Sequence, residues 1–181
     1  MNGTFLTGKS RIQQTDKSGY WMTLDNELYY DFNEDRIYVV PRYFWSDSYT
    51  FPRLLLIITG DKNRDDVRPP HQHDLFCRFH ERLYTTLSFD ELCTMGLLYE
   101  HEKGFMVCED IPKEYLVVEK IKKWKADNLL REMMISCNIS KFKASVARIG
   151  VFFNINWLKT GKRSLKTYNI YKEEIGLVDG R

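Results

Sequence analysis

Long apolar runs are missing from this chain. No stretch approaches the roughly 18 residues a membrane-spanning helix requires, and the longest, Leu54-Leu55-Leu56-Ile57-Ile58, has the size of a core segment. Cysteine pairs are missing too. Cys77, Cys93, Cys108 and Cys137 stand far apart with no Cys-x-x-Cys step, so neither a zinc knuckle nor a dithiol motif is present. They read as reduced core thiols of a cytoplasmic protein rather than as a disulfide framework. The first residues, Met1-Asn2-Gly3-Thr4, lack the basic-then-apolar layout of a secretory signal. Charge bias is equally absent. The 27 Lys and Arg nearly balance 25 Asp and Glu, for a net charge of +2, which gives no general attraction to nucleic acid. There is no Gly-rich phosphate loop, no Ser nucleophile motif and no internal repeat.

What the chain does have is a globular composition. Of its 181 residues 43% are hydrophobic and 29% charged, sufficient for one packed core. The expected architecture is α+β: an N-terminal antiparallel β meander packed on an antiparallel helix pair and further helices, as a single domain over residues 1–158. A basic C-terminal tail, 159–181, carries Lys159, Lys162, Arg163 and Lys166 before the first acid, Glu173.

The meander is expected at 20–24, 27–32 and 36–40, with turn chemistry at Asp25-Asn26 and Asn33-Glu34-Asp35. An ordered aromatic loop follows at 42–51, then a short helix from Pro52 through Thr59, ended by Gly60. Residues 61–68 read as an exposed charged loop. Pro69-Pro70 opens a second helix reaching about Tyr84, and Ser88-x-x-Glu91 caps a third over 89–98. Residues 99–110 suggest a hairpin around Gly104. A long helix spans 119–137, and a last one runs from a Ser140 cap to about Phe153.

Placing polar groups on helix faces gives the sharpest expectation. His73, Phe76, Phe79 and Leu83 form one stripe of the second helix, and Trp124, Asp127, Leu130, Met134 and Cys137 one stripe of the long helix. Each stripe carries one ionisable group, and an unpaired buried carboxylate costs several kcal/mol. Asp127 is therefore expected to accept a hydrogen bond from His73. Asp74 lies about 100° around the same helix. Two readings stay open. In one, His73 is a general base on water, Asp127 fixes its tautomer and Asp74 binds a metal ion, with Asp47 as a second metal ligand. In the other, His73 and Asp127 only pin two helices together, and Asp47 is a turn or cap residue. His71, His73, Asp74, Cys77 and His80 offer zinc-ligand types at no usual zinc spacing. The aromatic residues from Tyr43 to Tyr49 suit a protein interface.

The same residues carry a family likeness. The run from Val40 through Pro41-Arg42-Tyr43-Phe44-Trp45-Ser46-Asp47 to Pro52-Arg53 resembles a Pro-x-Gly-Phe-x-Thr-Asp-x-x-Ser-x-Pro signature. His73-Asp74-Leu75-Phe76-Cys77 resembles a His-Asp-x-x-Tyr element, and Ala126-Asp127-Asn128-Leu129-Leu130 an Ala-Asp-x-x-Phe element. In this order they look like the phage and prophage family called domain of unknown function thirteen fifty-three. Tyr43, Thr50 and Cys77 depart from that pattern, at its Gly, its Ser and the aromatic closing the His-Asp element. The resemblance implies a bacteriophage virion-associated or assembly protein that docks to other phage structural proteins, in the virion or the host cytoplasm. A host protein is an alternative partner. A more distant similarity, to secreted-type phospholipases A2, implies a calcium-dependent hydrolase of lipid or cell-envelope esters, with His73 as base, Asp127 orienting it and Asp74 on calcium. The glycine-rich calcium loop and the bracing disulfides of those enzymes have no counterpart here. The expectation is a binding protein rather than an enzyme, without a cofactor and without nucleic acid.

Overall fold

The structure, a computed structural model, describes residues 2–14, 20–46, 66–102, 104–153, 160–172 and 175. In chain order its strands are β1 (Gly3–Phe5), β2 (Ile12–Gln14), β3 (Trp21–Thr23), β4 (Glu27–Asp31), β5 (Arg36–Val40), β6 (Trp45–Ser46), β7 (Glu81–Thr85), β8 (Leu98–Glu100), β9 (Met106–Cys108) and β10 (Leu116–Lys120). The helices are α1 (Arg68–Phe79), α2 (Phe89–Thr94), α3 (Lys123–Ser136) and α4 (Lys141–Phe152).

The α+β architecture is the expected one. Tyr, Ile and Val crowd residues 28–40, and there the chain forms the β4–β5 hairpin, with Glu27 opposite Val40 and Asp31 opposite Arg36. Asp35 closes the turn in the left-handed conformation (φ 51°). The Asp31 carboxylate accepts the Asn33 backbone N–H at 2.9 Å, as short polar side chains do in turns. An antiparallel five-stranded sheet, in the order β1-β4-β5-β7-β10, grows around this hairpin. β4, β5 and β7 are buried along nearly their whole length, the mark of strands covered on both faces. β10 is the half-exposed edge and ends in the exposed charges Glu119 and Lys120, which blunt it against further pairing.

The first meander strand forms where expected but leaves the main sheet. β3 pairs instead with β2 and with β6, inside what reads as loop in the sequence. Asn26 explains the departure. Its amide donates to the Cys108 carbonyl at 3.2 Å and to Asp110 at 3.1 Å, and its oxygen accepts the Arg42 N–H at 2.7 Å. A residue so engaged anchors the β8–β9 hairpin to the sheet and is not available as a tight-turn corner between β3 and β4.

Three helices are shorter than the sequence suggests. α1 stops at Phe79 because His80 adopts a left-handed conformation (φ 53°). Residues 81–84 then extend as β7, and Leu83 faces the core from a strand rather than from the helical stripe. Residues 119–122 are likewise not helical: β10 pairs with β7 and α3 starts at Lys123. α2 carries the full Ser88–Glu91 capping box but ends at Thr94, with Leu98 opening β8. The hairpin around Gly104 and the Ser140-capped helix form as expected. The helix expected at 52–59 lies outside the described residues.

α1 packs on β5, β6 and β7, and α3 packs on α1, β1 and α4. One core draws on residues from Leu28 to Ile175. Leu165, Ile170 and Ile175 are buried in it, so the basic C-terminal segment contributes core residues instead of trailing off as a tail. Ser164 and the Leu165 N–H fasten it to the Glu81 carboxylate, at 2.8–3.0 Å. Trp124 corrects the second stripe: it is 56% exposed, because α3 turns Ala126, Leu129 and Met133 to the main core instead. Leu83→Ala is therefore expected to cost about 3 kcal/mol in urea unfolding, and Trp124→Ala less than about 0.5 kcal/mol. A helical Leu83 with a buried Trp124 would make the two costs comparable.

Candidate functional site

α1 is a helix with few exposed positions. Prolines in its first turn forfeit no intrahelical bond. Pro69, His71, Gln72, His73, Leu75, Phe76 and Phe79 are all buried, so polar and apolar side chains alike face other elements.

The expected pair forms. His73 Nε2 lies 3.0 Å from Asp127 Oδ1, joining α1 to α3. Lys123, one turn earlier on α3, donates to Asp127 Oδ2 at 2.7 Å and to the Val151 carbonyl of α4 at 2.8 Å. Both oxygens of a carboxylate that is 1% exposed are thus occupied. Burial raises the Asp127 pKa, but the hydrogen bonds and charges of His73 and Lys123 outweigh it and hold the group below the usual carboxylate range. An ionised Asp127 can only accept, so the hydrogen bond between them is donated by His73 Nε2–H.

Cys77, one turn along α1, approaches the other side of the ring. Its Sγ is 3.6 Å from Nδ1 and 3.5 Å from Nε2. Near-equal distances to both nitrogens put the sulfur over the ring face rather than along the Nδ1 lone pair. This is sulfur–aromatic packing and not the in-plane contact of an activated thiol–imidazole dyad.

Asp74 belongs to another contact. It accepts a hydrogen bond from the Ser46 hydroxyl of β6, and Arg78, one turn on, donates to the Trp45 carbonyl at 2.7 Å. Together they tie α1 to the second sheet. Asp47, the other expected metal ligand, lies outside the described residues. The histidines diverge as well: His71 Nδ1 meets Glu27 Oε1 at 2.7 Å, and His80 Nε2 meets Thr160 Oγ1 at 3.1 Å. Among the described residues, no three His, Cys, Asp or Glu converge as metal ligands would. None of the four cysteines is in a disulfide, and burial pushes the Cys108 and Cys137 thiols up to about 12.

One buried pair escaped the sequence reading. Glu27 and His71 are both fully buried, and Ser10 donates to the same Glu27 oxygen at 2.5 Å. The steps from His71 to Leu75 to Phe79 were the available signal, a second apolar stripe led by an ionisable residue. Beside it, Gln72 is fully buried with neither amide atom bonded among the described residues, a costly arrangement.

No family model, no curated protein and no solved structure matches this chain.

Removing one partner of a buried pair strands the other, so Asp127→Ala is expected to lower unfolding stability by about 3–5 kcal/mol. A loss under about 1 kcal/mol would show that the junction contributes little. The pH dependence has a fixed sign. A carboxyl whose pKa falls on folding stabilises fully above its unfolded value of about 3.9, less below it, and no longer once the pH drops through the lower folded value. Acid denaturation should therefore be shallower in Asp127→Asn than in wild type. Gln72→Met, which keeps the volume and removes the unbonded amide, should raise stability by about 1 kcal/mol.

Proposed function

We propose that this chain is a bacteriophage virion-associated or assembly protein that acts by docking to other proteins, with the His73–Asp127 pair and Asp74 in structural roles. The phage setting rests on the motif resemblance in the sequence. The docking role rests on one observation: the outer face of α4 is apolar and open. Phe142 is 71% exposed, Ile149 57% and Phe153, at the helix cap, 75%. With half-buried Val146 they follow steps of four, three and four, one continuous file along the helix. Contiguous exposed apolar surface of this kind marks interaction sites in folded proteins.

The burial of the His–Asp group supports the structural reading. A general base must reach its reactant, whereas the His73 side chain is only 9% exposed and its Nε2 is held by Asp127. The hydrolase reading keeps one observation in its favour, the buried imidazole–carboxylate pair. A host protein as the partner would use the same open face.

Mass spectrometry of washed particles from a producing culture tests the docking reading. The chain should be present, and the double variant Phe142→Ser/Ile149→Ser, folded by circular dichroism, should be lost from them. Lipid or ester hydrolysis in the presence of calcium, abolished by His73→Ala, would overturn the structural assignment. A chain missing from particles but recovered with a single bacterial protein would move the role to the host.

A further inference from the structure

The open face of α4 also has a charge character that narrows its partner. Between Glu132 and Glu173 the sequence contains no acidic residue, while Lys141, Lys143, Arg148, Lys162, Arg163, Lys166 and Lys172 all fall inside that span. Three of these lie on α4 itself. At about 100° per residue, Lys143 stands roughly 100° to one side of Phe142, with Lys141 and Arg148 roughly 100–120° to the other. The apolar file therefore runs between two basic borders. On the far side of the helix, Ala144, Ala147 and Val151 are packed on Leu130 and Met134 of α3, so the file cannot turn inward to cover itself.

We propose that this face docks an acidic protein partner, one whose apolar groove or helix face is bordered by Asp and Glu. The proposal rests on the docking reading above and adds the chemistry of the occupant. Anchors spaced i, i+4, i+7 and i+11 along a helix are those a hydrophobic groove accepts from a docked helix, and basic borders meet acidic rims with charge complementarity. A second copy of this chain fits poorly. Pairing two such faces would bring Lys141, Lys143 and Arg148 of each copy together with no acid on the helix to offset them.

The test uses the full chain and two synthetic helices sharing one leucine face, one edged with Glu and the other with Lys. Fluorescence anisotropy should show binding of the Glu-edged helix, weakened roughly tenfold from low to physiological salt. Phe142→Ser/Ile149→Ser should lose that binding, and Lys141→Glu/Arg148→Glu should weaken it while leaving the thermal unfolding midpoint unchanged. Equal or tighter binding of the Lys-edged helix overturns the proposal. So does binding to phosphatidylglycerol vesicles without binding to the Glu-edged helix, and so does a dimer in sedimentation that dissociates in Phe142→Ser. Failure here is separable from failure of the docking role. If neither helix binds yet the Phe142→Ser/Ile149→Ser variant is lost from particles, only the acidic partner is refuted. If that variant enters particles normally, docking through α4 falls as well.

Discussion

A single buried carboxylate sets the arrangement of the helices. Asp127 is held away from water, where an isolated charge costs several kcal/mol, and it is tolerable only because both oxygens are bonded. Its donors come from two directions. His73 ties it to α1, which is itself embedded between the sheets, and Lys123 ties it, through the Val151 carbonyl, to the end of α4. A hydrogen-bonded ion of this kind has few geometries in which every member is satisfied. The angle between α1 and α3, and the distance from α3 to the last turn of α4, are constrained together.

That constraint adds to the other ties between α4 and α3, among them the hydrogen bond from Arg131 to the Ser145 hydroxyl at 3.1 Å. The packing of α4 with α3 forms a small cluster of Leu130, Met134, Ala144, Ala147 and Val151, separate from the main core. Small residues let helix axes approach closely, but Ala buries little area, and hydrophobic stabilisation follows area. Lys123 therefore does for α4 what a larger side chain does elsewhere: it fixes the helix end by hydrogen bond rather than by burial. Asp74 and Arg78 act alike on the opposite side of α1, fastening β6 through Ser46 and the Trp45 carbonyl.

The sequence made these contacts partly legible. The His73–Asp127 pair could be anticipated because each residue interrupts an apolar stripe and each needs a partner of the other's type. The hairpin of β4 and β5, the Ser88 cap and the Ser140 cap were readable because their signals are local. The errors share another cause. Residues 81–84 and 119–120 continue helical patterns as well as they alternate, and only their mutual pairing in β7 and β10 decides the matter. That pairing spans a separation no local pattern reports. Of His71-Gln72-His73 only His73 was placed on an apolar stripe from the sequence, whereas all three are buried because the helix bearing them is enclosed by the strands and by α3. Partners as distant as Glu27 and His71 become visible only when the enclosure is known. Asp74 could be placed on the helix, but not against Ser46, for the same reason.

The orientation of α4 then bears on what the fold is for. Folding alone would favour the reverse arrangement, with Phe and Ile against α3 and Ala in water, since burying a side chain of that size contributes about 1.5–3 kcal/mol. Here the large side chains Phe142, Ile149 and Phe153 point out and the small ones point in. The Asp127–Lys123–Val151 connection makes that inversion mechanically tolerable, because it secures the helix without its largest apolar groups. The chain thus presents a formed helix whose exposed side chains Phe142, Ile149 and Phe153 lie outside the described core. A helix formed before binding lowers the ordering cost of association, and exposed Phe and Ile supply area to bury. A preformed helix with its apolar anchors outward and its fastening inward has the properties required of a docking element, and its own fold leaves those anchors unused.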